Sequence, residues 1–392
     1  MRPLVPELRF PEFKGPWKPA RAGDAFRNSK AKGEAWLPIY SVTQDRGLVR
    51  RDSLERHMGA DAADETNLRA QPGDLVYNMM RMWQGAVGMA SEECMVSPAY
   101  VVLAPKKGVS SEFFDYWFQN RHMLHQLWAY SHGLTNDRLR LYYQDFAKIP
   151  LALPDQPEQE KIAAVLDATC RKISLLSDKK TALEDYKRGL MQRLFSRELR
   201  FTRDDGSPFP DWEKLPFQQL ATRVTDSFDP RSGFDSQPIL IELENIESKT
   251  GRIIGSVEIA DQISLKTSFH VGDILFGKLR PYLRKFARPQ FDGICSSEIW
   301  VLKGRKASSE FLFYLVQSER FIAKAIVSSS GSKMPRADWQ TVADTMFWLP
   351  HPDEQHKIAG TLSTLDAKID AMSQKISEME AFKKGLLQKL FV

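Results

Sequence analysis

The chain repeats itself. Displaced by 196 residues, half of its 392, Leu153 to Phe195 falls on Leu349 to Phe391 without a gap. Of these 43 aligned positions 19 are identical, where ordinary composition gives roughly two or three. Two amphipathic helices that had merely converged would share apolar positions only. They would not both spell Leu-Pro, Glu-Gln-x-Lys-Ile-Ala and Lys-x-Gly-Leu-x-Gln-x-Leu-Phe in one order. The segment is duplicated, and the fold must supply two equivalent places for it.

Each copy reads as a long helix. Ile162, Leu166, Thr169, Ile173, Leu176 and Leu183 recur in steps of three and four, with Lys180 breaking the row; Ile358, Leu362, Leu365, Ile369, Met372, Ile376 and Met379 match them. That is a narrow seam of coiled-coil type. Pro154 and Pro350 precede the helices, acids (Asp155, Glu158, Asp353, Glu354) suit their N-terminal ends, and cations (Lys187, Arg188, Arg193; Lys383, Lys384, Lys389) crowd the other ends. About 38 residues of helix span nearly 60 Å. A lone helix of that length is unstable in water, so the copies are expected to pack on each other, antiparallel in a duplicated chain. Gly189 and Gly385 fall on one matched site, each costing roughly 1 kcal/mol against alanine. Close helix contact or a kink would justify them; a tolerated accident is the alternative.

The intervening stretches are mixed, with short strand-like runs, turns and one or two helices each. The duplication continues there faintly. Gly73-Asp74-Leu75-Val76-Tyr77 matches Gly272-Asp273-Ile274-Leu275-Phe276, and Tyr100 to Leu103 matches Ile299 to Leu302. A helix candidate follows each of the latter, Ser111 to Tyr130 and Ser308 to Ser328. Strand and helix positions keep their character while loops differ freely, as two readers of unlike targets require. The expected fold is α+β: two mixed α/β modules separated by two long helices in an antiparallel coiled coil, as a pseudo-two-fold repeat. The segments are 1–152 (first module), 153–197 (central helix), 198–348 (second module) and 349–392 (C-terminal helix).

In the second module Lys278, Arg280, Arg284, Lys285 and Arg288 cluster around Tyr282 and Phe286, with no acid between Asp273 and Asp292. Phosphate contact with base-edge readout wants this mixture of charge, forked donors and aromatics; a solvated basic loop is the alternative. The first module has Arg81, Trp83 and Gln84 there, and Gln44 and Arg46 nearer the N-terminus. A second pair of polar, glycine-bearing loops adds Thr135, Asn136 and Arg138 in one module and Ser332, Lys333 and Arg336 in the other. These can follow a DNA backbone and reach base edges, or be plain polar turns.

Enzyme readings fare poorly. Gly272 to Leu279 almost spells a phosphate-binding loop, but Leu279 stands where a magnesium-holding hydroxyl belongs. Seven histidines show no zinc spacing, and Cys94, Cys170 and Cys295 lie far apart, so neither a metal site nor a disulfide framework is indicated. No Asn-Pro-Pro-Tyr or Asp-Pro-Pro-Tyr occurs, the motif with which amino-methyltransferases grip a flipped base. Catalysis is expected in a partner. A net charge of +5 is only mildly basic, so its placement matters more than its size. No apolar run reaches the roughly 18 residues of a membrane span, and the N-terminus lacks a signal-peptide core; a cytoplasmic protein is expected.

With the Leu-Pro-x-x-x-Glu-Gln-x-Lys-Ile-Ala start and the Lys-x-Gly-Leu-x-Gln-x-Leu-Phe ending in view, the chain resembles the DNA-specificity subunits of type I restriction–modification systems over its whole length. Arg9 to Phe13 with Trp17, and Phe209 to Trp212, are similar to the openings of that family's two target-recognition domains, and Tyr40 to Gly47 to part of the first. The resemblance implies one half of a split, asymmetric double-stranded DNA site per module, with the helices as a ruler. It implies docking of two modification subunits, which carry S-adenosylmethionine and methylate adenine, while this chain binds no cofactor itself. Restriction subunits add to that core in some systems. A freestanding bipartite DNA-binding scaffold, dimerising through its coil, is the alternative.

Overall fold

The computed structural model describes residues 4–54, 66–135, 138–229, 238–258, 264–331 and 333–392. The chain forms two compact units, Met1–Ser177 with Gln374–Val392, and Asp178–Ser373. Each therefore combines one module with the first part of one long helix and the last part of the other.

Those helices are Gln156–Phe195 and Pro352–Lys389, 40 and 38 residues. In the first unit Ile162, Ala163 and Leu166, from the opening turns of one, share a core with Leu386 and Leu390, near the end of the other, and with Phe391 just beyond it. In the second unit Ile358, Ala359 and Leu362 share a core with Leu194. Within each unit the start of one helix thus lies with the end of the other, the antiparallel arrangement the repeat calls for. Every seam residue is buried or half-buried, whereas Leu175, off the seam, is 69% exposed.

The strongest repeat motif is a clamp. Glu158 and Gln159 are buried, as are Glu354 and Gln355. Gln159 donates to its own helix entrance at the Pro154 carbonyl (2.9 Å) and accepts from the Ser110 amide (2.9 Å). Gln355 does the same with Pro350 (2.9 Å) and Ser308 (2.8 Å). Each glutamate takes an arginine from its module's opening: Arg9 on Glu158 and Arg200 on Glu354. Antiparallel pairing of Lys18–Arg21 with Pro150–Leu153, and of Glu213–Pro216 with Met346–Leu349, closes each module beside its helix. At the far end of the repeat, Lys383 lies over the Tyr116 ring in the first unit and Lys187 over Tyr314 in the second.

Among the described residues each module has two four-stranded sheets. One has the same order in both: Phe26–Ser29, Tyr100–Pro105, Leu75–Asn78, Val87–Met89; and Ala221–Val224, Ile299–Gly304, Ile274–Gly277, Phe286–Ala287. In the other, a shared trio gains its fourth strand at opposite edges. Gly47–Arg50 lies outside Ile39–Thr43 in the first unit; Ser227–Phe228 lies outside Lys266–Phe269 in the second. The single helix candidates are each broken in two, as Ser111–Trp117 and Arg121–Ala129, and as Ser309–Leu315 and Glu319–Val327. The side chains of Asn120 and Ser318 cap the second helix of each pair, accepting from the new first-turn amides. Among the described residues no helix is long and apolar enough to cross a membrane.

Candidate nucleic-acid interface

The fold joins loops that are far apart in sequence. In the second unit the buried strand Ile274–Gly277 runs into the loop that begins at Lys278. Arg280 accepts no ordinary backbone there: its φ is 50°, and that of Arg284 is 53°, on either side of a tight Pro281–Leu283 turn. Left-handed backbone costs a non-glycine residue roughly 1–2 kcal/mol, and such strain persists only where surroundings enforce it. The enforcing partner is the loop around Lys333. The Arg280 amide donates to the Pro335 carbonyl (2.7 Å), and the Ala337 amide to the Lys278 carbonyl (2.9 Å). Two loops that the sequence presents separately are one surface.

The first unit repeats that tie with different side chains. The Leu141 amide donates to the Met79 carbonyl at 2.9 Å, securing the loop of Arg81, Trp83 and Gln84 to the loop of Thr135 and Arg138. Arg81 donates to the Gln84 side chain (3.3 Å), and the Trp83 indole to the Met80 carbonyl (3.2 Å). His132 and Arg140 exchange two backbone bonds of 2.9 Å, and Thr135 and Arg138 form the exposed end between them. Gln44 and Arg46 are exposed on the turn between Ile39–Thr43 and Gly47–Arg50. That turn is brought against the strand after the Arg81 loop by a bare backbone contact: a Cβ on Gly88 would lie 2.1 Å from the Leu48 nitrogen. Asn136 and Ser332 lie outside the described residues.

The cations differ in how far they are committed. Arg284 grips Glu319 with both forks (2.5 Å each), which holds that carboxyl below its usual range. Arg336 holds both oxygens of Glu298 (2.8 and 2.9 Å), Arg288 pairs with Glu310, and Lys285 donates to the Leu243 carbonyl (2.8 Å). Lys278, Tyr282 and Lys333 make no side-chain hydrogen bond or ion pair among the described residues, and Tyr282 is 49% exposed. Arg280 reaches the Lys333 carbonyl at 3.4 Å while its Nε is buried without a partner among the described residues. The cluster that looked free of acids in sequence is thus partly neutralised in space. Glu298, Glu310 and Glu319 arrive from a strand entrance and two helix starts, and no local pattern announces them.

The near-miss phosphate loop is spent on the sheet. Ile274–Gly277 pairs with Ile299–Gly304 on one side and Phe286–Ala287 on the other, so its amides cannot cradle a phosphate.

Two like scaffolds carrying unlike loop pairs, each closed by half of each long helix, define a duplicated two-module protein whose modules differ at their exposed loops. The sequence matches the family described as the type I restriction modification DNA specificity domain over residues 21–185 and 245–381, and the chain belongs to that family. It is 24% identical over 277 residues to the type I restriction enzyme EcoDI specificity subunit of Escherichia coli, covering 63% of this chain and 61% of that one. The match thus spans less than two thirds of the Escherichia coli protein. It is 23% identical to the MjaVIII specificity subunit of Methanocaldococcus jannaschii, covering 98% and 93% of the two chains. The fold is similar to that of the type I restriction–modification S subunit from M. genitalium, with a TM-score of 0.56, 14% identity and 99% coverage of both. It is also similar to a chain from a type I R-M system studied for its complex assembly and conformational transition (TM-score 0.57, 14% identity, 97% and 99% coverage).

Proposed function

We propose that this chain reads a bipartite, asymmetric double-stranded DNA site, one half per module, as the specificity component of a type I restriction–modification complex. The observation that carries the reading is the repeated loop tie, Leu141 to Met79 and Ala337 to Lys278, both 2.9 Å. One backbone frame presents Arg81, Trp83, Gln84, Thr135 and Arg138 in one module and Lys278, Arg280, Tyr282 and Lys333 in the other. Gln44 and Arg46 extend the first surface. A fixed frame with exchangeable forked donors, cations and rings is what base-edge readout over a phosphate backbone requires. Arg284, Lys285 and Arg336 act by shaping the loop and by lending charge beside their partners.

In this reading the chain is not itself an enzyme and binds no cofactor. Two modification subunits, holding S-adenosylmethionine, dock on the long helices and methylate adenine, restriction subunits add to that core in systems that have them, and the complex works in the cytoplasm. Methylome sequencing of a host carrying the complete system tests it. Methylation is expected at a split site, and exchanging residues 198–348 for those of a relative should change one half only. Change in both halves, or none, counts against the reading. A freestanding homodimeric scaffold is separated by light scattering, because cores shared within one chain call for a monomer.

A further inference from the structure

Among the described residues four that are not glycine hold a left-handed backbone, and all four are cations: Arg197, Lys249, Arg280 and Arg284. Arg197 stands just beyond the end of the first long helix, where such a residue is ordinary. The other three belong to one surface. Lys249 (φ 69°) lies at the tip of a hairpin in which the Glu247 amide donates to the Arg252 carbonyl at 2.9 Å and Ile246 pairs with Ile253. That tip is laid along the Arg280 loop: the Lys249 amide donates to the Arg284 carbonyl at 2.8 Å, and Ser248 pairs with Lys285. The seat is tight. Gly251 has a φ of 80°, and a Cβ there would stand 2.7 Å from the Phe313 ring, while Arg252 is paired with Asp370 on the second long helix. Strain in a non-glycine residue persists only where its surroundings fix it, and it gathers at binding sites.

The first module has a counterpart at the same place in its fold. Ile39–Thr43 and Ile239–Ile241 are equivalent strands, each parallel to one neighbour, Cys94–Val96 and Gly293–Cys295. The chain that follows each strand returns to the strand leaving the basic loop. The Gln44–Arg46 turn does so through Leu48 and Gly88; the hairpin does so at Arg284 and Lys285, the entrance to Phe286–Ala287. A hairpin has replaced a short turn, so spacing along the chain does not pair Lys249 with Arg46. Around Lys249 the other charges are spent. The Arg284 guanidinium is on Glu319 and the Lys285 ammonium on the Leu243 carbonyl. Glu247 accepts from Thr250, and Asp370 from Arg252. The Lys249 side chain is exposed and makes no hydrogen bond or ion pair among the described residues.

We propose that Lys249 sets its ammonium on a phosphate of the DNA beside the second module's half-site, doing for that module what the Gln44–Arg46 turn does for the first; this rests on the DNA reading above. Lysine is a compact point charge, suited to a phosphate rather than to the paired acceptors of a base edge. Its backbone is bonded to the loop that carries Arg280, so holding the phosphate fixes the register in which that loop meets the bases. The contact supplies the charge that Arg284 and Lys285 have given to groups of the protein itself.

The test is titration of the full chain, in complex with the modification subunit of its own system, with a duplex bearing the methylated site over a range of salt concentrations. Lys249→Asn removes the charge but keeps a residue that tolerates left-handed backbone. Its affinity should fall about five- to tenfold at about 0.1 M salt, and the plot of log affinity against log salt should become shallower by about 0.9. The loss should be equal for duplexes with single substitutions in either half-site, because a phosphate carries no sequence. Lys249→Arg should restore both affinity and slope. Lys249→Gly separates contact from folding, because it relieves the strained backbone: the melting temperature should hold or rise while affinity falls as in Lys249→Asn. A wild-type complex with no preference for the split site overturns the DNA reading and this contact together. Wild-type preference with unchanged affinity and slope in Lys249→Asn overturns the contact alone. An altered base preference in that variant overturns the phosphate assignment in favour of a base-edge contact. Lowered melting with affinity that Lys249→Arg does not restore overturns it in favour of a structural role.

Discussion

The guanidinium of Arg200 rests on the carboxylate of Glu354, 154 positions away in the chain, with bonds of 2.9 and 3.2 Å. Glu354 is fully buried and also accepts from the Trp212 indole at 2.9 Å. Arg9 and Glu158 make the matching pair in the other unit, where the buried Trp17 indole finds no partner among the described residues. The duplicated Glu-Gln of the helix start thus ties each module's opening segment to its helix.

Without Glu354, Arg200 keeps Asp211 and the Phe209 and Pro210 carbonyls, but the buried Trp212 indole loses its acceptor. Glu354→Ala should cost about 1–3 kcal/mol and exceed Glu158→Ala, because it orphans that indole. Thermal melting of the complex checks the order, and a smaller loss for Glu354→Ala would contradict it.

Arg284, Arg288 and Arg336 each hold a glutamate, whereas Arg280 has only a 3.4 Å contact to the Lys333 carbonyl among the described residues, so its guanidinium is the least committed forked donor of its loop. Arg280→Ala should weaken one half-site by about 1–3 kcal/mol and leave the other half and the melting temperature unchanged. Binding to DNA carrying single half-site substitutions checks it; equal relaxation of both halves would sink the modular reading.

Gly88 permits the backbone approach that seats the Gln44–Arg46 turn. Gly88→Ala drives a methyl into the Leu48 nitrogen, an overpacking expected to cost about 1–3 kcal/mol. Recognition of the first module's half-site should fall while the second module's preference stays. Unaltered melting together with unaltered binding would refute the close contact.

The Asp115 carboxyl, with Oδ1 buried and unpartnered among the described residues, is pushed up to about 7 from 3.8. Loss of hydration is the main cause; Lys383 opposes it, while the Asp167 and Glu112 charges add to it. Between those values the folded chain keeps a proton that the unfolded chain has lost, so the group destabilises increasingly as pH rises toward 7. Asp115→Asn should therefore melt above the wild type at about pH 8, and the gap should close as pH falls to about 4. A gap that widens on acidification would reverse the assignment.

The two long helices were legible because their signals are local and were written twice. Helix-forming runs, caps and a half-buried seam depend on residues three to seven apart, and duplication separates meaningful identities from chance. The split of each helix candidate was less legible, since Asn120 and Ser318 read equally well inside a helix or as caps until packing chooses.

The site followed the same division. Lys278, Arg280 and Tyr282 stood out by composition, yet the acids facing their neighbours, Glu298, Glu310 and Glu319, come from other elements. Sequence alone determined that there are two like frames, two like helices and unlike loops, because periodicity and repetition are properties of the chain taken in order. Tertiary structure decided which loops share a surface and which cations are already neutralised. Those depend on distances between residues dozens of positions apart, and only backbone hydrogen bonding and the closing of buried cores fix such distances.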